Sequence, residues 1–206
     1  MYSDRIKCLA RDVSLKDVVL DVGCDHGYLS IYLKKNKLCK EVYACDISKN
    51  ALEGAKRNFQ KYQVDIEAFV SNGFDDIPVS FNTAVIAGMG THTILKILDS
   101  PKIPPKLIIS SNNDLYLLRK SLNKLGYKLI DEVIVYENKH YYTVMLYIKN
   151  KQKLNKWELM FGVSNDDDYY KYLLHKNKEL LEKVPWQKKR HLKKCCRKLK
   201  GLIERK

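Results

Sequence analysis

Nowhere in these 206 residues does an apolar run approach the roughly 18 uninterrupted residues that a membrane-spanning helix needs, so no spanning segment is expected. The stretch from Met1 to Val13 carries Asp4, Arg5, Lys7, Arg11 and Asp12 and lacks the apolar core of a secretory signal; the expected location is the cytoplasm. No CxxC pair occurs among the six cysteines, Cys8, Cys24, Cys39, Cys45, Cys195 and Cys196, and none stands near paired histidines, so no structural metal is expected. Several of them sit in apolar runs, where a reduced thiol behaves as a small core residue, a usage that suits a reducing compartment better than a disulfide framework. Long internal repeats and low-complexity tracts are also missing, which removes solenoid readings.

What is present is an ordinary globular balance, 45% hydrophobic and 30% charged, in a length that suits one full domain with a small appendage. The formal charge is +14, and its placement matters more than its size. Residues 151–206 hold 17 lysines and arginines against 7 aspartates and glutamates, a net +10, which leaves +4 for residues 1–150. A basic cluster attached to a modestly charged domain is the footprint of a polyanion partner, because each neutralised phosphate releases counterions. A generally lysine-rich composition is the bland alternative.

From residue 18 to 149, short β-branched runs alternate with amphipathic stretches, the pattern of βαβ units, so the fold class is α/β with a largely parallel sheet. Strands are expected near 18–22, 41–45, 65–70, 83–87 and 106–110, and helices near 28–35, 49–62, 91–98 and 115–125. Two later runs, 129–136 and 141–147, flank Glu137-Asn138-Lys139 and read as a hairpin, hence an antiparallel edge. Five crossover strands closed by a hairpin resemble the Rossmann-like, seven-stranded sheet of class I methyltransferases more than a dinucleotide-binding sheet. In open sheets of this kind ligands sit beyond the carboxyl ends of the strands at the switch point, so the loops after the first, second and fourth strands should hold the chemistry.

After Asn150 the character changes. Ser164-Asn165 ahead of Asp166-Asp167-Asp168 reads as a helix start, and Pro185-Trp186 interrupts that helix. Leu192, Cys195, Cys196, Leu199, Leu202 and Ile203 then recur on one face of a second helix, opposite Lys188, Lys189, Arg190, Lys194, Arg197, Lys198 and Lys200. A C-terminal two-helix hairpin, coiled-coil-like, with an apolar seam and a basic exterior, is expected over 151–206.

The strongest local signal is Asp21-Val22-Gly23-Cys24-Asp25-His26-Gly27, a glycine-rich turn between a strand and a helix that lets a ligand approach the backbone. Asp46, about 20 residues further on and at the end of the second strand, can accept bonds from ribose hydroxyls. Together they suit an adenosine-containing ligand. Ser71-Asn72-Gly73 puts a side-chain amide where an adenine edge would lie, or is simply an asparagine turn. Asp25 stands where the second glycine of Gly-x-Gly-x-x-Gly belongs; its charge would repel a diphosphate and tolerate a sulfonium, which favours S-adenosylmethionine over a nicotinamide cofactor. A helix N-cap aspartate beside a solvated His26 is the structural alternative.

These segments resemble the bacterial tRNA (adenine-22-N1)-methyltransferases, class I S-adenosylmethionine-dependent enzymes, over nearly the whole chain. The resemblance rests on residues 21–29, Asp46, Ser71-Asn72-Gly73, Ile86-Ala87-Gly88-Met89-Gly90, Asn112-Asn113, Phe161-Gly162 and the helical hairpin, with Asp25-His26 the most specific element. Thr91 replaces a second glycine after Gly90, and Ser110-Ser111 replace the Gln-Pro usual before Asn112. Membership implies a catalytic domain over 1–150 and a tRNA-binding hairpin over 151–206. The donor would lie on Asp21, Gly23, Asp46, Ile47, Asn72, Gly73, Ala87 and Gly88. Asp25 and His26 are the expected catalytic residues. Tyr28, Met89 and Asn112 would meet the acceptor base, with Phe74 a second stacking candidate, and Lys188, Lys189, Arg190, Lys194 and Arg197 would grip tRNA phosphates. Met89 could equally fill core space. A class I methyltransferase acting on another RNA or on a protein, and a non-catalytic RNA-binding module on a Rossmann-like scaffold, share much of this pattern.

Overall fold

Seven short runs pair into one sheet: β1 (Val18–Val22), β2 (Glu41–Asp46), β3 (Ala68–Val70), β4 (Thr83–Met89), β5 (Lys106–Ser111), β6 (Tyr127–Glu137) and β7 (His140–Lys149). The coordinates are a computed structural model, and it describes residues 2–151 and 153–204, apart from the side chain of Lys188. The strand order is β3-β2-β1-β4-β5-β7-β6, with β1 to β5 parallel and β7 running antiparallel between β5 and β6. β1, β5 and the first four residues of β4 are almost wholly buried, which is why they read as continuous apolar runs and not as alternating ones. The hairpin is longer than expected and turns on Asn138 and Lys139 alone, both with positive φ (51° and 65°), as a two-residue turn demands. β3 is shorter than expected and begins only at Ala68.

Helices α2 (Tyr28–Lys35), α3 (Lys49–Lys61), α4 (Thr91–Ile97) and α5 (Leu115–Lys124) follow β1, β2, β4 and β5. Leu52, Ala55 and Phe59 recur at helical spacing on α3 and join Leu29, Ile31 and Leu33 of α2 over Val19, Val42, Ala44 and Val85 of the sheet. An unexpected helix, α1 (Asp4–Ala10), precedes the sheet; Ser3 caps it by accepting the Ile6 N–H, and Leu9 and Ala10 enter the same core.

The chain divides after Leu154 into two compact units. The second holds α6 (Lys156–Phe161), α7 (Asp167–Lys183) and α8 (Trp186–Ile203). α6, also unexpected, opens with a capping box in which Asn155 and Glu158 each accept from the other's backbone. Asp166 caps α7 by accepting the Tyr169 N–H, and Pro185 is the N-cap of α8, where its fixed φ and missing N–H cost nothing. α7 and α8 pack along one another, with Cys195, Cys196 and Leu199 buried on α8 and Arg190, Lys194 and Arg197 exposed. No helix among the described residues is long and apolar enough to cross a membrane.

Candidate active site

The crossover from β3 back to β4 opens a crevice past the carboxyl ends of β1 and β4, the switch point of the sheet. Gly23 and Cys24 donate their N–H groups to the Cys45 carbonyl at 2.8 and 3.0 Å, which draws the loop after β1 against the end of β2. Gly23 has φ +72°, and a Cβ there would stand 1.9 Å from the Met89 Cε, so only glycine leaves the backbone bare at this point. Asp25 adopts φ +49°, a left-handed conformation that aspartate tolerates better than most residues, and its N–H donates to Asp46 Oδ2 at 3.1 Å. The Ser48 N–H donates to Asp46 Oδ1 at 2.9 Å. Each carboxylate oxygen has two lone pairs, so Asp46 keeps acceptor capacity toward the crevice.

The crevice is a cavity of about 590 Å³ lined by Val22, Gly23, Asp25, Asp46, Ile47, Ser48, Ala51, Ser71, Asn72, Gly73, Ala87, Gly88, Met89, Thr93 and Ile97. Two carboxylates and no lysine or arginine stand on that lining. Ile47 is 69% exposed and, with Ala51 and Ile97, offers an apolar wall. Beyond it, a cavity of about 290 Å³ shares Gly23, Asp25, Ala87 and Gly88 and adds Arg5, Asp21, His26 and Tyr28; a third, of about 360 Å³, is walled by Arg5, Gly88, Ser111, Asn112 and His140–Tyr142. Gly88 borders all three. It is the unpaired residue of a bulge in which Ala87 faces Ser110 and Met89 faces Ser111, it has φ +82°, and its carbonyl accepts the Asn112 side-chain N–H at 2.8 Å.

Asp21 lies beneath this rim, buried, accepting the Ser30 hydroxyl at 2.6 Å. Burial pushes its carboxyl up to about 6, with the Ser30 hydrogen bonds pulling the other way. Burial likewise raises the Cys24 thiol and pushes Cys45 up to about 12, so neither is a nucleophile near neutral pH. Among the described residues no cluster of three or more histidine, cysteine or carboxylate side chains is disposed to hold a metal ion.

Comparison with known proteins is direct. Residues 2–145 match the methyltransferase domain family. A Mycoplasma genitalium protein described as a candidate tRNA methyltransferase is 31% identical over 81% of this chain and 79% of its own. The tRNA (adenine(22)-N(1))-methyltransferase of Bacillus subtilis is 31% identical over 70% of this chain and 63% of its own. The M. capricolum TrmK, solved with its cofactor product S-adenosyl-homocysteine, superposes with a TM-score of 0.85 at 29% identity, covering 99% of this chain and 98% of that one. The chain belongs to the tRNA (adenine-22-N1)-methyltransferase family.

Of the eight donor-site residues expected for this family, Gly23, Asp46, Ile47, Asn72, Gly73, Ala87 and Gly88 line the largest of the three cavities, and Asp21 lines its neighbour. Asp25 borders both, whereas His26 borders only the second, its Nε2 3.7 Å from Asp25 Oδ2. The N-cap alternative for Asp25 fails, because α2 is capped by Gly27 without any side-chain bond. Tyr28 is exposed on the second cavity and Asn112 borders the third. Met89 lines the largest of the three cavities, with its methyl over Gly23, and borders neither of the other two. Phe74 cannot stack on a base: it is fully buried and packs on Phe81 at 5.7 Å. Lys189, Arg190, Lys194 and Arg197 lie on α8 in the second unit, while the Lys188 side chain lies outside the described residues.

The two departures from the family pattern meet in space. Thr91 Oγ1 and Ser111 Oγ are 2.9 Å apart, and Thr91 also donates to the Asn113 carbonyl, so the hydroxyls tie the start of α4 to the end of β5. Sequence reasoning missed Arg5, Ser30 and Tyr142. Only Ser30 left a signal, a hydroxyl within the first turn after a buried aspartate.

Proposed function

We propose that this protein transfers a methyl group from S-adenosylmethionine to N1 of adenine 22 in tRNA, in the cytoplasm, with the basic α8 face as an RNA-binding surface. The observation that carries the reading is the charge of the switch-point cavity, where Asp25 and Asp46 stand on a lining without a single cationic side chain. Such a wall repels a diphosphate and favours a cationic ligand, and its volume suits a nucleoside-sized one. S-adenosylmethionine, when bound, supplies an electrophilic methyl group on a sulfonium sulfur.

Asp46 would hold the ribose edge with its remaining lone pairs, Ile47, Ala51 and Ile97 the flat face of the adenine, and Asn72 the adenine rim. Adenine N1 of the acceptor already carries an in-plane lone pair, so the protein need not remove a proton first, and positioning dominates catalysis. Asp25, at the junction of the donor and acceptor cavities, is the carboxylate available to stabilise the positive charge that develops on the base; His26 would orient it. Tyr28 offers a stacking surface for a base displaced from its helix, a displacement that costs about a few kcal/mol.

The test is incubation of the pure protein with labelled donor and tRNA transcripts in which adenine 22 is kept or replaced by guanine. Incorporation confined to the adenine transcript is expected. Equal incorporation into both would reassign the target, and none into either would end the methyltransferase reading.

A further inference from the structure

Arg5 projects from α1 over the ring of Tyr142 on β7, with its guanidinium carbon 4.4 Å from the ring centroid. Its Nη2 comes within 3.9 Å of the point where a Gly88 side chain would begin, and it walls both acceptor-side cavities. No carboxylate pairs with the guanidinium among the described residues: Glu137 accepts the Arg5 backbone N–H at 3.3 Å instead. The Nε is buried and has no hydrogen-bond partner. A half-buried cation pinned on an aromatic ring without a counter-charge is a poor device for stability, because desolvation is left uncompensated. It is a good device for holding an anion.

We propose that Arg5, with Asn112 and His140 beside it, binds the phosphate of the nucleotide being methylated. The proposal rests on the methyl-transfer reading above and adds a recognition site to it. A guanidinium is weakly hydrated, always charged, and presents its terminal N–H groups as a fork that matches two phosphate oxygens. The Tyr142 ring, its centroid 4.4 Å from the guanidinium carbon, holds the cationic head by a cation–π contact at the wall of the cavity. A base stacked on the guanidinium would leave those N–H groups unpaired, whereas phosphate oxygens accept them. Asp25 and Arg5 share the 290 Å³ cavity beside Gly88, from which Asp25 reaches on into the 590 Å³ cavity and Arg5 into the 360 Å³ one, so a carboxylate and a guanidinium stand at opposite exits of one space. A nucleotide undergoing methylation at a ring nitrogen is the complementary pair of charges. The bulge at Gly88, free of any side chain, would let one nucleotide span the two.

The test compares wild type, Arg5→Gln and Arg5→Lys in tRNA methylation with labelled donor at several salt concentrations, alongside S-adenosylhomocysteine titration by calorimetry and filter binding of the same tRNA. Arg5→Gln is expected to raise the KM for tRNA about tenfold, as loss of a charge-assisted bond to a phosphate implies. The slope of log affinity against log salt should become shallower by about 0.8, the share of one phosphate contact. Arg5→Lys should keep the slope but recover only part of the affinity, and both variants should bind S-adenosylhomocysteine as wild type does. An unchanged KM and slope in Arg5→Gln overturns the proposal, as does a loss of S-adenosylhomocysteine affinity that parallels the loss of tRNA. Failure of wild type to methylate tRNA would instead overturn the proposed reaction, and the filter-binding slopes would still decide whether Arg5 holds a phosphate.

Discussion

Asp21 sets burial against charge at the centre of the site. Its carboxyl is raised to about 6 from an ordinary 3.8, so between those values the folded chain binds a proton that the unfolded chain has released. The stability this contributes is fully present below the ordinary value and is lost as pH rises through about 6; a shift of this size corresponds to about 3 kcal/mol. Asp21→Asn keeps a partner for the Ser30 hydroxyl and never ionises. Urea unfolding at pH 4 and pH 8 should show the variant gaining about 1–3 kcal/mol over wild type at pH 8 and little at pH 4; identical pH profiles would refute the account. Gly23 makes a different point. Gly23→Ala forces an alanine into φ +72° and drives the Met89 methyl from its place over the backbone, and both residues line the switch-point cavity. Calorimetry should show S-adenosylhomocysteine affinity down about tenfold or more, about 1.4 kcal/mol, with Gly23→Ala/Met89→Ala recovering only the steric part because the backbone strain of about 1 kcal/mol remains. Asp21, Gly23 and Asp46 were legible in the sequence because a glycine-rich strand-to-helix turn with a following acid has few other uses. Arg5 and Tyr142 were not, since 137 residues separate them and only the sheet brings them together.

Elements were legible where composition alone decides them, and illegible where packing does. The parallel strands announced themselves as β-branched runs, and α3 by its three apolar positions. α1 and α6, of 7 and 6 residues, are too short to display a full amphipathic period and owe their helices to caps and tertiary contact. β6 illustrates a subtler failure. A bulge between Leu129 and Asp131 shifts the alternation, so that after Tyr127 and Leu129 the next inward residue is Glu132, a charged one. There it meets Arg119 of α5 in an ion pair, both side chains being almost wholly buried. Glu132→Gln leaves Arg119 without its counter-charge and should cost about 3–5 kcal/mol in denaturant unfolding, whereas replacing both partners with apolar residues (Arg119→Met/Glu132→Leu) should restore most of that loss. If the single and double variants unfold at the same denaturant concentration, the pair is not what anchors α5 to β6.

At the scale of the whole chain, charge is divided between two compact units. The sheet unit carries the switch-point cavity with its two carboxylates, and the net +10 of residues 151–206 falls largely on the helical unit, where α8 turns Arg190, Lys194 and Arg197 to solvent and buries Cys195, Cys196 and Leu199. This asymmetry was legible by counting, because a 3.6-residue period sorts lysine from leucine without knowledge of the fold. Its consequence for RNA follows from counterion release. Replacing Lys189, Arg190, Lys194 and Arg197 with glutamine should raise the tRNA KM and make its salt dependence shallower by up to about 3 in the log-log slope, the limit if all four touch phosphates. S-adenosylhomocysteine affinity should stay at the wild-type value, and so should the preference for a transcript bearing adenine 22, since phosphate contacts fix register but carry no base information. Exposed Trp186, at the start of α8, supplies a second readout: in a Trp157→Phe background its emission should change on tRNA addition in wild type and respond less in the four-residue variant. An unchanged KM and slope would move RNA recognition off this helix entirely and leave the acceptor-side cavities, with Arg5 at their junction, as the surface that holds the substrate.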